Sequence, residues 1–403
     1  MRFFSNKMTI LALLALLILI VVIPLFVFLV LAQQQEHVPV RITSDSSPLS
    51  TNTPVSTRSW TIISRNVPAF ASSDYYPASF ADDDNYDTVW RSQGTPAWLA
   101  YDLSGVLSSD RDTVLVVWYN ASYDYNHTIS GENAYNLPQD YTIDVNPGKG
   151  GGQPPGTGWV TLASVKGNHY HSRQHLIDMM GNNWIRIDVT ASDGAVANYD
   201  ASIDMDVYNA SYGTADNWIF YGDSITAGAM GHLTVGGVKS FAQLINSQFP
   251  NDFPVEESGG TSFLTSGDGA KYIDTWLQLF PGKYVGLSYG TNDALGCVDP
   301  GIFYNNYVSM VQAVLHMGKL PIIPHIPWGR NANIQNCAPP LNARIDALYR
   351  AFPQIIKGPD LWTFFQGHQA LISNDTIHPT STGFGALRQQ WAKTMLVEVY
   401  ARK

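Results

Sequence analysis

The chain has 403 residues, enough for two domains with sizeable cores. Its 33 acidic against 23 basic side chains leave a net charge of −10, and no basic stripe offsets that excess, which argues against a nucleic-acid partner. Charged residues are sparse while Tyr and Trp are plentiful, a texture common in extracellular β-rich proteins.

At the N-terminus, Arg2 and Lys7 precede an almost unbroken apolar run from Met8 to Ala32, long enough to span a bilayer as a helix. Positive charge before the run and none just after it places residues 1–7 in the cytoplasm and the rest of the chain outside. Val30-Leu31-Ala32 before Gln33 is an acceptable cleavage site, and cleavage there would release a secreted protein. The run exceeds the usual core of about 7–15 residues in a signal peptide, so residues 8–32 read better as an uncleaved signal anchor. Pro24 does not exclude spanning. Residues 33–57 are rich in Ser, Thr and Pro without hydrophobic period, as a flexible linker would be.

Residues 58–212 carry short β runs bounded by turn residues: "AWLAYDLSG", "TVLVVWYN", "DYTIDV", "GWVTLASV", "NWIRIDVTA" and "IDMDVY". Many short strands at such intervals predict an all-β sandwich. One stretch, around Arg173 to Met180, has the pattern of a helical turn, and "NPGKGGGQPPGTG" must be an exposed loop. On "YYPASFADDDNYDTVWRS", "WLAYDLSG", "YTIDVNPG…GWVTLAS" and "NWIRIDVTA", in that order, this half resembles the discoidin-like, galactose-binding modules. The resemblance implies a jelly-roll sandwich that binds sugars through loops at one end. It also implies a structural calcium loop where Asp82, Asp83 and Asp84 stand; three solvated carboxylates in a turn fit the same residues equally well. His169, His171 and His175 have no carboxylate or cysteine at metal-site spacing, so a surface loop is favoured over a metal site.

Residues 215–403 change texture. Continuous apolar strand-like runs ("WIFYGDS", "FPVEESGG", "YVGLSYGTND", "LPIIPHI") now alternate with helical patterns. Over 302–317, Tyr307, Val308, Val311, Val314 and Leu315 recur at the spacing of an amphipathic helix. This predicts an α/β fold: a parallel sheet covered by helices on both faces, with chemistry at the carboxyl ends of the strands.

Four segments fall at those strand ends or in the last loop: Gly222-Asp223-Ser224, Ser258-Gly259-Gly260-Thr261, Gly290-Thr291-Asn292-Asp293 and Asp375-Thr376-Ile377-His378. Each alone is weak, since Gly, Asp and Ser form turns everywhere. Together and in this order they resemble the four blocks of the SGNH (GDSL-type) hydrolases. That resemblance implies a three-layer α/β/α, flavodoxin-like domain, with Ser224 as nucleophile and Asp375 and His378 completing a triad. It further implies an oxyanion hole from the Ser224 and Gly259 N–H groups and the Asn292 amide, with Gly260 as the alternative to Gly259. Position 226 is Thr, so the Gly-x-Ser-x-Gly elbow of the α/β-hydrolases is lacking.

The chemistry needs these residue types. A serine hydroxyl becomes a nucleophile when an adjacent base takes its proton, and imidazole suits that task near neutrality. Asp223 reads as a turn support, Asp293 as a support for the Asn292 loop, and His325, at another strand end where it could line the pocket, reads better as a satisfied core histidine. Cys297 and Cys337, an even pair outside the cytoplasm, read as a disulfide pinning two loops beside the site. Trp328 and Arg330 are rim positions that would contact substrate. The whole reads as an extracytoplasmic serine esterase removing acyl groups, acetyl foremost, from carbohydrate, with no cofactor or catalytic metal. The alternatives are a lipase or thioesterase for longer acyl chains, and a surface carbohydrate-binding protein without catalysis.

Overall fold

The parallel sheet of the second half begins in chain order with a strand whose residues are all buried, the consequence of helices on both faces. The computed structural model describes residues 62–83, 88–120, 136–168, 170–193, 199–211, 213–231, 235–250, 252, 254–278 and 280–401. The anchor at 8–32, the linker at 33–57, Asp84 and His169 lie outside the described residues. Among the described residues no helix is long and apolar enough to cross a membrane.

Ahead of that sheet, strands β1 (Ala69–Ala71), β2 (Trp90–Arg91), β3 (Ala97–Asp102), β4 (Thr113–Tyr119), β5 (Pro138–Asn146), β6 (Val160–Val165), β7 (Ser172–Asp178), β8 (Trp184–Ser192) and β9 (Ser202–Asn209) build two antiparallel sheets. Their orders are β1-β3-β8-β5-β6 and β2-β9-β4-β7. Inward residues at alternate positions, such as Val114, Val116 and Trp118 on β4 and Ile185, Ile187 and Val189 on β8, fill the core between them. The intervening Leu115 and Val117 are buried too, in a cluster with Val255 of the second half. The apolar run "TVLVVWY" thus has both faces covered, one by the sandwich core and one by the second half.

The expected helical turn at Arg173–Met180 is instead β7, paired antiparallel along β4 from Thr113↔Asp178 to Tyr119↔Ser172. Ser172 to His175 are buried in succession, which a strand covered on both faces provides, while Leu176 and Asp178 beyond them are exposed. His171 and His175, expected in a surface loop, are buried.

The parallel sheet has the order β11-β10-β12-β13-β14, with β10 at Asn217–Gly222, β11 at Val255–Gly260, β12 at Tyr284–Ser288, β13 at Leu320–Ile323 and β14 at Ile356–Lys357. Helices α1 (Ser224–Met230), α2 (Phe241–Gln248), α3 (Ser266–Leu277), α4 (Thr291–Leu295), α5 (Pro300–His316), α6 (Ala332–Ala351), α7 (Leu361–Gly367) and α8 (Ser381–Met395) follow in chain order. Ile219 and Tyr221 of β10 face α3, α5 and α6, while Trp218 and Phe220 face α1, α2, α7 and α8. Most helix starts are written locally. Ser240 and Thr265 make capping boxes with Gln243 and Asp268, Asp299 caps α5 ahead of Pro300, and Thr380 caps α8.

The sandwich and the parallel-sheet half belong to one compact unit, Thr57–Lys403. Glu257 of β11 is buried where they meet and accepts from Ser172 Oγ at 2.5 Å. Burial pushes its carboxyl up to about 7, against the opposing pull of Ser172 and Arg173. A carboxyl with a raised folded pKa stabilises fully below its unfolded value, here about 4.5, and loses that contribution as pH rises through about 7. The melting-temperature difference between Glu257→Gln and wild type should therefore shift in favour of the variant from pH 5 to pH 8. Thermal melts across that range check it, and a difference independent of pH would contradict it.

Candidate active site

Ser224 opens α1 directly after β10, and Asp223 between them caps the helix by accepting from Ile225 N at 2.9 Å. The tight turn explains the glycines around it. A Cβ at Gly222 would lie 2.1 Å from Thr226 Oγ1 and 2.9 Å from Ser288 O. At Gly260 it would lie 2.3 Å from Ala227 N, so bare backbone there lets α1 settle against β11.

Ser224 Oγ lies 2.8 Å from His378 Nε2, and His378 Nδ1 lies 2.7 Å from Asp375 Oδ2. The remaining Asp375 oxygen, Oδ1, accepts from Ser373 Oγ at 2.6 Å and from the N–H groups of Ile377 and His378, both at 2.9 Å. Burial alone would raise the Asp375 carboxyl; the bonds from Ser373, Ile377 and His378 outweigh it and hold the group well below the usual carboxylate range. Asp375 therefore stays ionised beside the imidazole throughout the neutral range. Thr376 takes a left-handed φ of 70° to close this turn. Asp223 is buried and pushed up to about 6 by that burial, partly offset by its bond from Ile225 and by the charge of His378.

Asn292 sits in the first turn of α4, after Gly290 at φ 131°, and its Nδ2 donates to Leu264 O at 2.9 Å. Asp293 beside it is buried and accepts from Ser266 N at 2.9 Å and Ser266 Oγ at 2.6 Å, tying α4 to the start of α3. The third block is thus lashed to the turn between β11 and α3.

Gly259 stands opposite Tyr221 in the parallel ladder, and Thr261 N donates to Gly222 O at 3.0 Å. The two-residue repeat of a strand turns the Gly259 N–H toward β10 as well, and the Gly260 N–H away from it. Among the glycines of this block, Gly260 therefore has the N–H outside the ladder. The following turn holds a residue that sequence reasoning missed: Phe263, 53% exposed, with φ 67°. A bulky residue at positive φ is uncommon and is a mark of functional turns, but nothing in the local sequence signals it.

Other expected positions move. Trp328 is buried in the core and does not reach a rim. Arg330 turns its guanidinium to the carbonyls of Ile372 (3.1 Å) and Ser373 (2.5 Å), bracing the Asp375–His378 turn from behind. His325 bridges Asp346 and Asp360, at 3.2 Å to each. Cys297 and Cys337 form a disulfide with Cα atoms 5.3 Å apart. Cys337 belongs to α6, not to a loop; the helix, capped by Asn331, runs on through Pro339 and Pro340. Near it Asn333 Nδ2 donates to Leu295 O at 2.8 Å and Asn331 N to Thr376 O at 3.0 Å. The start of α6 thus joins the third block to the fourth.

In the sandwich, Asp82 is buried, burial pushes its carboxyl up to about 7, and Asp83 accepts from Thr88 Oγ1 at 2.8 Å. No group of three His, Cys, Asp or Glu side chains comes together among the described residues, which do not include Asp84.

Residues 220–386 match the GDSL-like Lipase/Acylhydrolase family, so the chain carries a domain of that family and is a serine hydrolase of ester bonds. No curated protein matches the chain. Among solved structures, it is similar to a lipase/acylhydrolase of Enterococcus faecalis, with 19% identity over 44% of this chain and 94% of that one and a TM-score of 0.37. The psychrotrophic esterase EstA of Pseudoalteromonas sp. gives 16% identity over 47% and 100%, with a TM-score of 0.38. The chitosan-binding module 1 of a chitosanase/glucanase from Paenibacillus sp. IK-5 gives 24% identity over 37% and 98%, with a TM-score of 0.27.

Proposed function

We propose that the protein is an extracytoplasmic, membrane-anchored esterase that removes short acyl groups, acetyl foremost, from carbohydrate. The observation that carries the hydrolytic reading is the unbroken hydrogen-bonded chain from Ser224 Oγ through His378 to Asp375. Ser224 Oγ attacks the ester carbonyl while its proton passes to His378 Nε2. Asp375 holds the imidazole by Nδ1 and stabilises the imidazolium. The negative charge on the carbonyl oxygen is received by the Ser224 N–H, the Asn292 amide and a backbone N–H of the segment Gly260–Leu264. Collapse expels the alcohol, which takes the proton from His378. Water then repeats the sequence on the acyl-serine, releasing the acid and restoring the hydroxyl.

The carbohydrate part rests on the discoidin-like pattern of the sandwich, and the outer location on the apolar run at 8–32. The Cys297–Cys337 bridge supports an oxidising compartment. Turnover of 4-nitrophenyl esters should be greatest for acetate and fall steeply with acyl length, and the protein should release acetate from an acetylated polysaccharide. Preference for acyl chains of eight or more carbons would turn the reading to a lipase or thioesterase.

A further inference from the structure

We propose that the β-sandwich is a positioning element of the hydrolase: its segment Tyr170–Ser172 holds the carboxyl end of β11 and the turn after it, so that turnover depends on sandwich residues that never touch substrate. The inference rests on the serine-esterase reading above.

Strand β11 is an edge strand, bonded to β10 on one side only. Side chains of the sandwich take hold of it residue by residue. Ser172 Oγ, which donates to Glu257, also lies 3.1 Å from Ser258 O, and Tyr170 Oη donates to Gly259 O at 3.0 Å. His171 Nδ1 lies 3.2 Å from Thr261 Oγ1. Every one of these side chains is buried. Burial, aided by Arg173, pushes the His171 imidazole down to about 3, so it meets Thr261 as a neutral ring at working pH.

Tyr170 does more than bond to Gly259. Its ring stacks on Trp276 of α3, with centroids 5.1 Å apart and planes at 24°, and tilts against Tyr221 of β10 at 5.6 Å. One sandwich side chain therefore touches β10 just ahead of Ser224, β11 within the second block, and the helix after the turn. That turn in turn carries Leu264 O, which anchors the Asn292 amide. Tyr170 thus bears on the segment that carries the oxyanion donors.

The interface contains its own control. Gln174 and Asn217 exchange side-chain hydrogen bonds at the opposite end of β10, remote from Ser224 along the strand, and Gln174 reaches β11 only at Glu257, ahead of the second block. A sandwich that merely stabilised the fold would show the same effect at both ends.

The test uses the full chain and 4-nitrophenyl acetate, with Tyr170→Phe, Thr261→Val, Gln174→Leu and Ser224→Ala beside wild type. Tyr170→Phe and Thr261→Val should each lower kcat about tenfold with KM within about twofold, the signature of interactions felt in the transition state alone. Gln174→Leu should lower the melting temperature yet leave kcat within about twofold when assayed well below it. Wild-type kcat in both Tyr170→Phe and Thr261→Val overturns the inference, as does an equal loss of kcat in Gln174→Leu. Turnover retained by Ser224→Ala instead overturns the esterase reading, and this inference with it.

Discussion

Replacing Ser224 by Ala should lower kcat for a short-chain aryl ester by about 10⁴–10⁶-fold and abolish labelling by a fluorophosphonate, with the melting temperature nearly unchanged. The substitution removes one oxygen. Ala is the best helix former at the first position of α1, and the cap from Asp223 to Ile225 N does not involve the Ser224 side chain. The fold therefore has no reason to weaken, and the loss reads as chemistry. What remains comes from the oxyanion donors and from binding, which still favour attack by water. Undiminished turnover would mean that another group is the nucleophile.

Asp375→Asn should lower kcat by about 10⁴-fold, close to the loss of a triad carboxylate elsewhere. The carboxylate does two things. Oδ2 fixes the tautomer with the proton on Nδ1, leaving Nε2 bare to accept from Ser224, and Oδ1 ties the turn through three donors. An amide can keep the turn bonds with its oxygen, but its NH₂ then faces His378 Nδ1 and stabilises the wrong tautomer. Because Asp375 is held below the ordinary carboxylate range, the loss of wild-type activity on acidification does not come from protonation of this acid. As a group with a depressed folded pKa, Asp375 contributes stability present above its unfolded value and lost as pH falls through the folded one. A pH–rate profile with circular dichroism at each point separates the two, since activity should fail at a higher pH than structure. A variant within tenfold of wild type would sink the assignment of Asp375.

Much of the site was legible because its chemistry is written in short segments. Gly222-Asp223-Ser224 announces a strand-to-helix turn, and Asp375 and His378 three apart share one loop, as the geometry bears out. The choice between Gly259 and Gly260 was not legible. It depends on which way each N–H points from β11, and that follows from the register against β10. Phe263 escaped for a related reason: a positive φ at a bulky residue is imposed by closing the turn between two packed elements. Trp328 and Arg330 read as rim positions beside the loops that the cysteine pair pins. The chain folds so that one is core and the other bonds the carbonyls of Ile372 and Ser373 beside the Asp375–His378 turn.

The sequence by itself determined the alternation of strand and helix, the capped helix starts, the cysteine pair and the order of the four blocks. All of these are set by periodicity, turn propensity and residue chemistry over a few positions. Only the tertiary structure decided that Ser224 and His378, 154 positions apart, meet at 2.8 Å, and that a sandwich tyrosine stands behind the second block. Such contacts depend on which buried faces come together. A face that is apolar, or polar with its partners supplied from afar, looks the same in sequence whatever will cover it.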